Sequence, residues 1–183
     1  MAEVFERATA TFREASGLDH AIYSAIARTP TPSLDRELAA LSRLADHSKL
    51  WIGCSAGLAL FGGERGRRSA VRGLAAIAVA SGGVNLGVKL LSRRRRPDRV
   101  DVPEARHVPM PISSSFPSGH SASAFAFATA VGDSNLAVDL PLRFLAALVA
   151  YSRVHTGVHY PGDVVVGALI GGAAGNAVAA IRR

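Results

Sequence analysis

Beyond residue 47 the chain is a succession of five apolar stretches, at roughly 48–62, 69–91, 119–132, 138–153 and 162–181, separated by knots of charge. Few architectures accept such a pattern. Only the last stretch holds a charge-free run of 18 residues, Val164 to Ile181; the others are shorter or carry a charge at one end. About 18 apolar residues is the lower limit for crossing a bilayer, and charges at the ends of apolar runs are what snorkelling side chains and a buried polar site produce. The expected fold class is all-α, a multi-pass transmembrane bundle of five to six spanning helices. The buried helices of a soluble bundle are the competing account. Gly167-x3-Gly171 and Gly171-x3-Gly175 favour close helix contact in either solvent.

Residues 1–46 differ from the rest of the chain. Val4, Phe5, Ala8 and Phe12 fall on one helical stripe with charges opposite, and the segment lacks the apolar core of a signal peptide. Pro30 and Pro32 break the chain, after which Ser33 and Glu37 open a second amphipathic helix running to about Asp46. The organisation is thus amphipathic N-terminal helices over 1–46, lying along a membrane surface, and a helical core over 47–183.

The net charge of +7 allows nucleic acid, anionic lipid or an anionic substrate as partner. Its placement narrows these. Arg65, Arg67, Arg68 and Arg72, then Arg93 to Arg96 and Arg99, stand beside apolar segments, as membrane flanks do, and there is no nucleic-acid module, zinc spacing or series of stacking aromatics. Membrane lipids are the expected surroundings and no nucleic acid is expected. The one cysteine, Cys54, can form no internal disulfide and reads as a small core residue.

Three islands carry the chemistry. Lys89-x6-Arg96-Pro97 places two cations around a helix end, because Pro97 and the Arg run stop the helix between them. The other three arginines of the run, Arg93 to Arg95, read as an ordinary cationic flank. Pro117-Ser118-Gly119-His120 opens an Ala- and Phe-rich helix, whose free N–H groups and dipole suit an anion, with the Ser118 hydroxyl as an added donor. Ser152-Arg153 closes one apolar stretch, and His159-Tyr160-Pro161-Gly162-Asp163 opens the next. Pro161 belongs in a first helical turn, which puts Asp163 near enough to hold the His159 ring and leave one nitrogen lone pair free. His155 lacks a carboxylate at that spacing, and His107 lies in a Pro-rich loop; neither is expected to be catalytic. If the five stretches alternate in direction, the ends at 91, 119, 153 and 162 meet on one side. Cationic donors, two imidazoles and a carboxylate are what metal-free phosphoester cleavage needs.

These islands resemble the three signature motifs of the type 2 phosphatidic acid phosphatase superfamily, over residues 85 to 165, with no departure at a motif position. The resemblance implies an all-helical fold and phosphoester hydrolysis through a phosphohistidine, with no metal and no cofactor. It makes His159 the nucleophile, Asp163 its orienting group and His120 the general acid that later activates water. Lys89, Arg96, Ser118, Gly119 and Arg153 would bind the phosphate oxygens. The substrate implied is a lipid phosphate: phosphatidate, a phosphatidyl head-group phosphate, or a polyprenyl phosphate or diphosphate. The chain is also similar to the phosphatase half of actinobacterial fusions with a diacylglycerol-kinase-like domain, as a stand-alone relative or a piece of one. That likeness implies a cytoplasmic C-terminus and a catalytic side facing outward from the cell membrane. Two other functions fit the same residues. A vanadium-dependent haloperoxidase would hold vanadate on His159, and a non-enzymatic protein would bind anionic lipid through its arginine knots.

Overall fold

The computed structural model describes the backbone of residues 1–132 and 136–181, and the side chains of all of these except 2–12. The stripe of Val4, Phe5, Ala8 and Phe12 lies outside the described side chains. The described residues are helical, with no strand.

Helix α1 (Ala2–Arg28) runs well past the stripe that ends at Phe12, because no proline intervenes before Pro30. Asp19, Tyr23 and Ala27 lie on one face at helical spacing and are buried. Helix α2 (Pro32–Leu44) starts with Pro32 in its first turn, where a missing N–H costs nothing, and buries Leu38, Ala39 and Ser42. A short turn at Asp46–Ser48 then leads into α3 (Lys49–Phe61), and α4 (Gly63–Gly82) turns back from it at Gly63, whose φ of 59° favours glycine.

Beyond α4 the helix widens to π-type bonding over Gly83–Val88 and ends as α5 (Lys89–Leu91), one continuous path from Gly63 to Leu91. Helices α6 (Gly119–Gly132), α7 (Leu136–His155) and α8 (Pro161–Ala180) complete the chain. The starts of α6 and α8 and the stop at Leu91 fall where the sequence places them. Among the described residues two paths are long and apolar enough to cross a membrane: Gly63–Leu91, with mean hydropathy 1.7, and Pro161–Ala180, with 1.5. Helices α3 and α6 have only 13 and 14 residues.

Helix α6 is the axis of the bundle. Eleven of its residues, from Ser121 to Gly132, are buried, because alanines at alternate positions from 122 to 130 let neighbours approach on every side. Phe127 fills the gap on one side against Trp51, Ile77 and Val149; Ala122, Ala126 and Ala130 meet Ala76, Ala80 and Ala174 on the other. Contact with α8 is backbone on backbone. A Cβ added at Gly171 would stand 2.2 Å from the Ala122 carbonyl oxygen, and one at Gly167 would stand 2.4 Å from that of Ser118. The glycine ladder is therefore a groove for α6, and dispersion across it substitutes for large side chains.

Candidate active site

The chain reverses at each apolar helix, so the end of α5, the starts of α3, α6 and α8 and the end of α7 lie at one end of the bundle. Direct contacts tie them together. The Ser118 N–H donates to the Asp163 carbonyl at 2.9 Å, Lys89 Nζ lies 3.7 Å from where a Gly119 Cβ would be, and Arg153 Nη1 reaches to 3.6 Å from Asp46 Oδ1. All eight predicted site residues sit at this end.

His159 precedes α8 and is 2% exposed. Arg96 Nη1 stands 3.2 Å from its Nε2. A guanidinium only donates, so Nε2 carries the lone pair and Nδ1 the proton. Nδ1 faces Asp163 Oδ2 at 3.4 Å, an ion-pair separation too long and misaligned for a hydrogen bond. Burial pushes the His159 pKa down to about 3, helped by the charges of Arg96 and Arg153, against which the nearby Asp163 works. Burial thus favours the neutral ring, whose Nε2 lone pair faces Arg96.

Asp163 is fully buried and held on both oxygens. Oδ2 accepts from the Tyr160 N–H at 2.9 Å, which caps α8, and from the Ser115 hydroxyl; Oδ1 accepts from Arg94 Nη1 at 2.8 Å. Arg94 is therefore no loose cationic flank, as its place in the arginine run suggests. It is a built-in partner of the motif carboxylate.

His120 begins α6. Its Nε2 lies 2.7 Å from Asp46 Oδ1, and since a carboxylate only accepts, Nε2 carries a proton. The hydrogen bond to His120 is the main influence holding the Asp46 carboxyl below its usual range, against partial burial. Asp46 has no counterpart in the three motifs; in sequence it reads as the end of an amphipathic helix.

Arg96 and Arg153 act on the His159 ring, and Arg153 and Lys89 on that of His120. Arg153 is 1% exposed, donates to the Ser42 hydroxyl, and leaves its Nε without a partner among the described residues. Lys89 Nζ likewise has no hydrogen bond or ion pair there. Arg96 is partly committed, donating to the carbonyls of Val158 (2.7 Å), Ser113 (3.0 Å) and Ser114 (3.2 Å), and burial lowers its pKa. At the start of α6 the Ser118 N–H is already bonded to Asp163, so the free backbone donors are those of Gly119 and His120. The Ser118 hydroxyl oxygen accepts from Ser121 Oγ at 3.1 Å, which leaves its own hydrogen to give. Among the described residues no cluster of three acidic, His or Cys side chains could hold a metal.

His155 and His107 lie outside the site. His155 does have a carboxylate, one far off in sequence: its Nε2 stands 3.1 Å from Asp35 Oδ1, which also receives Arg106 Nε at 2.8 Å. Arg106 is fully buried and donates to the carbonyls of Ile26, Ala27 and Thr29, so this cluster fastens the 104–106 loop to α1 and α2. His107 Nε2 bonds the Val102 carbonyl at 3.0 Å.

A family model, the PAP2 superfamily, matches residues 70–183. Decaprenylphosphoryl-5-phosphoribose phosphatase of Mycolicibacterium smegmatis is 34% identical over 128 residues, 70% of this chain and 68% of that one. Its namesake in Mycobacterium tuberculosis H37Rv is 43% identical over 89 residues, 48% of each chain, so the match spans about half the length of that relative. Among solved structures, Aquifex aeolicus LpxE has a TM-score of 0.72 at 28% identity, covering 88% of this chain and 94% of that one. A transmembrane PAP2-type phosphatidylglycerolphosphate phosphatase from Bacillus subtilis scores 0.73 at 23% identity, over 92% and 86%. With every motif residue inside the matched stretch, the chain belongs to the PAP2 superfamily.

Proposed function

We propose that this chain is a metal-independent phosphatase of a membrane lipid, working through a phosphohistidine on His159. One observation carries the proposal: a buried imidazole, favoured as neutral, presents its Nε2 lone pair to Arg96 and within the field of Arg153, with a second imidazole at the same end of the bundle. Nε2 of His159 attacks phosphorus and the ester P–O bond breaks. Burial lowers the His120 pKa and the hydrogen bond to Asp46 works against that shift, so Asp46 is what favours the protonated ring; in that form His120 offers one N–H to Asp46 and gives the other proton to the departing oxygen. Neutral His120 then takes a proton from water, whose oxygen attacks phosphorus; the N–P bond breaks and phosphate leaves. Lys89, Arg96, Arg153, the Ser118 hydroxyl and the Gly119 N–H stabilise the equatorial oxygens, whose charge is greatest in the transition state. Asp163 favours the Nδ1–H tautomer and the positive ring that forms.

The substrate we propose is a phosphomonoester or diphosphate carried on a lipid, with a polyprenyl-linked sugar phosphate first to be tested, since that is what the named mycobacterial relatives act on. We place α3, the Gly63–Leu91 path, α6, α7 and α8 across the cell membrane, with α1 and α2 along its surface. The far end of the bundle, with Arg65, Arg67, Arg68 and Arg72, faces the cytoplasm and the catalytic end faces outward. The comparable knot at Arg93–Arg99 is largely engaged in internal bonds, through Arg94, Arg96 and Arg99.

The test is phosphate release in mixed micelles from a polyprenyl-linked sugar phosphate, phosphatidate and phosphatidylglycerol phosphate. Turnover persists in chelator, is inhibited by vanadate and is lost in His159→Ala by at least about four orders of magnitude, as for removal of other covalent nucleophiles. Full activity in His159→Ala eliminates the proposed nucleophile.

A further inference from the structure

We propose that Arg94 and Asp19 are positioning residues of this reaction, a charge relay that lets the N-terminal helix hold the carboxylate behind His159; the proposal rests on the phosphatase reading above. The guanidinium of Arg94 spans two acids. Its Nη1 donates to Asp163 Oδ1 at 2.8 Å, its Nη2 makes a close ion pair with Asp19 Oδ2, and its Cζ lies 4.5 Å from the Tyr160 ring centroid. Asp19 in turn accepts from the Gly162 N–H at 2.7 Å through Oδ1. The relay thus grips the first turn of α8 at Tyr160, Gly162 and Asp163 from an element 143 residues earlier than Gly162.

The division of Asp163 between its two oxygens gives Arg94 its role. Oδ2 faces His159 Nδ1 and also receives the Tyr160 N–H and the Ser115 hydroxyl, while Oδ1 has Arg94 as its one partner among the described residues. A carboxylate pinned at one oxygen alone can swing about its Cβ–Cγ bond; a second anchor fixes the edge offered to the imidazole. Arg94 also separates two carboxylates that are 8% and 0% exposed. Without the cation two buried carboxylates are left with no counter-charge between them, and the edge that Asp163 offers to His159 is no longer held. Asp19 matters because it keeps the guanidinium turned toward α8: Arg95 and Arg93, its neighbours in sequence, have no such carboxylate among the described residues. Arg94 touches no phosphate in this scheme, so its contribution is to the chemical step and not to binding.

The experiment uses the full chain in detergent with a water-soluble phosphomonoester and with the lipid substrate. Arg94→Gln lowers kcat about 10- to 100-fold with KM within about twofold, the range seen when an outer-shell partner is lost. Arg94→Lys, which restores the charge, recovers part of that loss. In the Asp163→Asn background Arg94→Gln has little further effect, which a general loss of folding would not produce. Asp19→Asn, which keeps an acceptor for Gly162, gives a smaller fall of the same kind, about three- to tenfold, and decides the matter if Arg94→Gln does not fold. A kcat in Arg94→Gln within twofold of the parent overturns the relay, as does a full multiplication of the Arg94 and Asp163 losses. An inactive parent chain would instead sink the phosphatase reading, so the two failures are distinct.

Discussion

The two imidazole–carboxylate pairs at the site are built on opposite principles. His159 and Asp163 are four residues apart, almost wholly buried, and 3.4 Å from each other; His120 and Asp46 are 74 apart, partly exposed, and 2.7 Å from each other. The local pair gets its geometry from the first turn of α8, and its dryness keeps the ring neutral. The distant pair joins the turn before α3 to the start of α6; burial lowers the His120 pKa too, but there the closer carboxylate opposes the shift, as the proposed acid–base role requires. A nucleophile gains from isolation, whereas an acid–base catalyst gains from a charged neighbour and access to water.

Breaking the local pair has the largest expected effect. Asp163→Asn keeps the shape but offers an amide to Nδ1, allows the wrong tautomer and withdraws the charge that favours a positive ring. A fall in kcat of about 10² to 10⁴ is expected, in line with the loss of an orienting carboxylate in a hydrolase triad. The check is single-turnover release of phosphate, and less than a tenfold fall would mean that the 3.4 Å separation reflects no functional coupling.

Asp46→Asn should cost less, about 10- to 100-fold, because general acid–base catalysis as a whole contributes about 10² to 10⁴. Its dependence on the leaving group separates the two pairs. With an aryl ester, whose oxygen departs without a proton, the loss at Asp46 shrinks, while that at Asp163 stays. Equal losses on aryl and alkyl esters would place Asp46 outside the acid's role.

What is legible in the sequence divides along the same line. The stops and starts at Leu91, Gly119 and Pro161 can be read because proline, glycine and the apolar rhythm act locally, and Asp163 can be paired with His159 because a helix turn fixes that spacing. The ladder of Gly167, Gly171 and Gly175 announces close packing, and α6 fills it. Asp46 carries no signal, since its partner is 74 residues away and it resembles the polar end of a surface helix. Arg94 is hidden differently, being one of four adjacent arginines that only the position of Asp19 and Asp163 distinguishes. His155 has no carboxylate at helical spacing, and finds one in Asp35 through tertiary contact.

The packing beneath the local pair can be loosened separately. At Gly167 an added methyl would meet the Ser118 carbonyl oxygen, and the Ser118 N–H in turn holds the Asp163 backbone. Gly167→Ala should therefore destabilise the protein by about 1–3 kcal/mol, the usual range for overpacking, and lower activity by displacing α8. Gly172→Ala, at a site on the same helix with nothing within 4 Å, is the control and should be neutral or stabilising by about 0.5–1 kcal/mol. Melting in detergent checks both, and equal melting temperatures would mean that α8 has room to shift.

Stability against pH bears on how dry the local pair is. An unfolded His takes its proton near pH 6.5, while the folded site holds His159 down to about 3. Between those values the unfolded chain binds the extra proton, so acid favours unfolding. The stability that the neutral ring supplies is complete above about pH 6.5 and declines as pH falls toward 3, with a limiting slope of about 1.4 kcal/mol per pH unit. His159→Gln has no proton to take up, so its melting temperature should fall less than the parent's between about pH 7 and pH 5. If both lose stability at the same rate, water or an anion reaches His159 in the folded protein and the ring is not isolated, which would remove the distinction between the two pairs at its source.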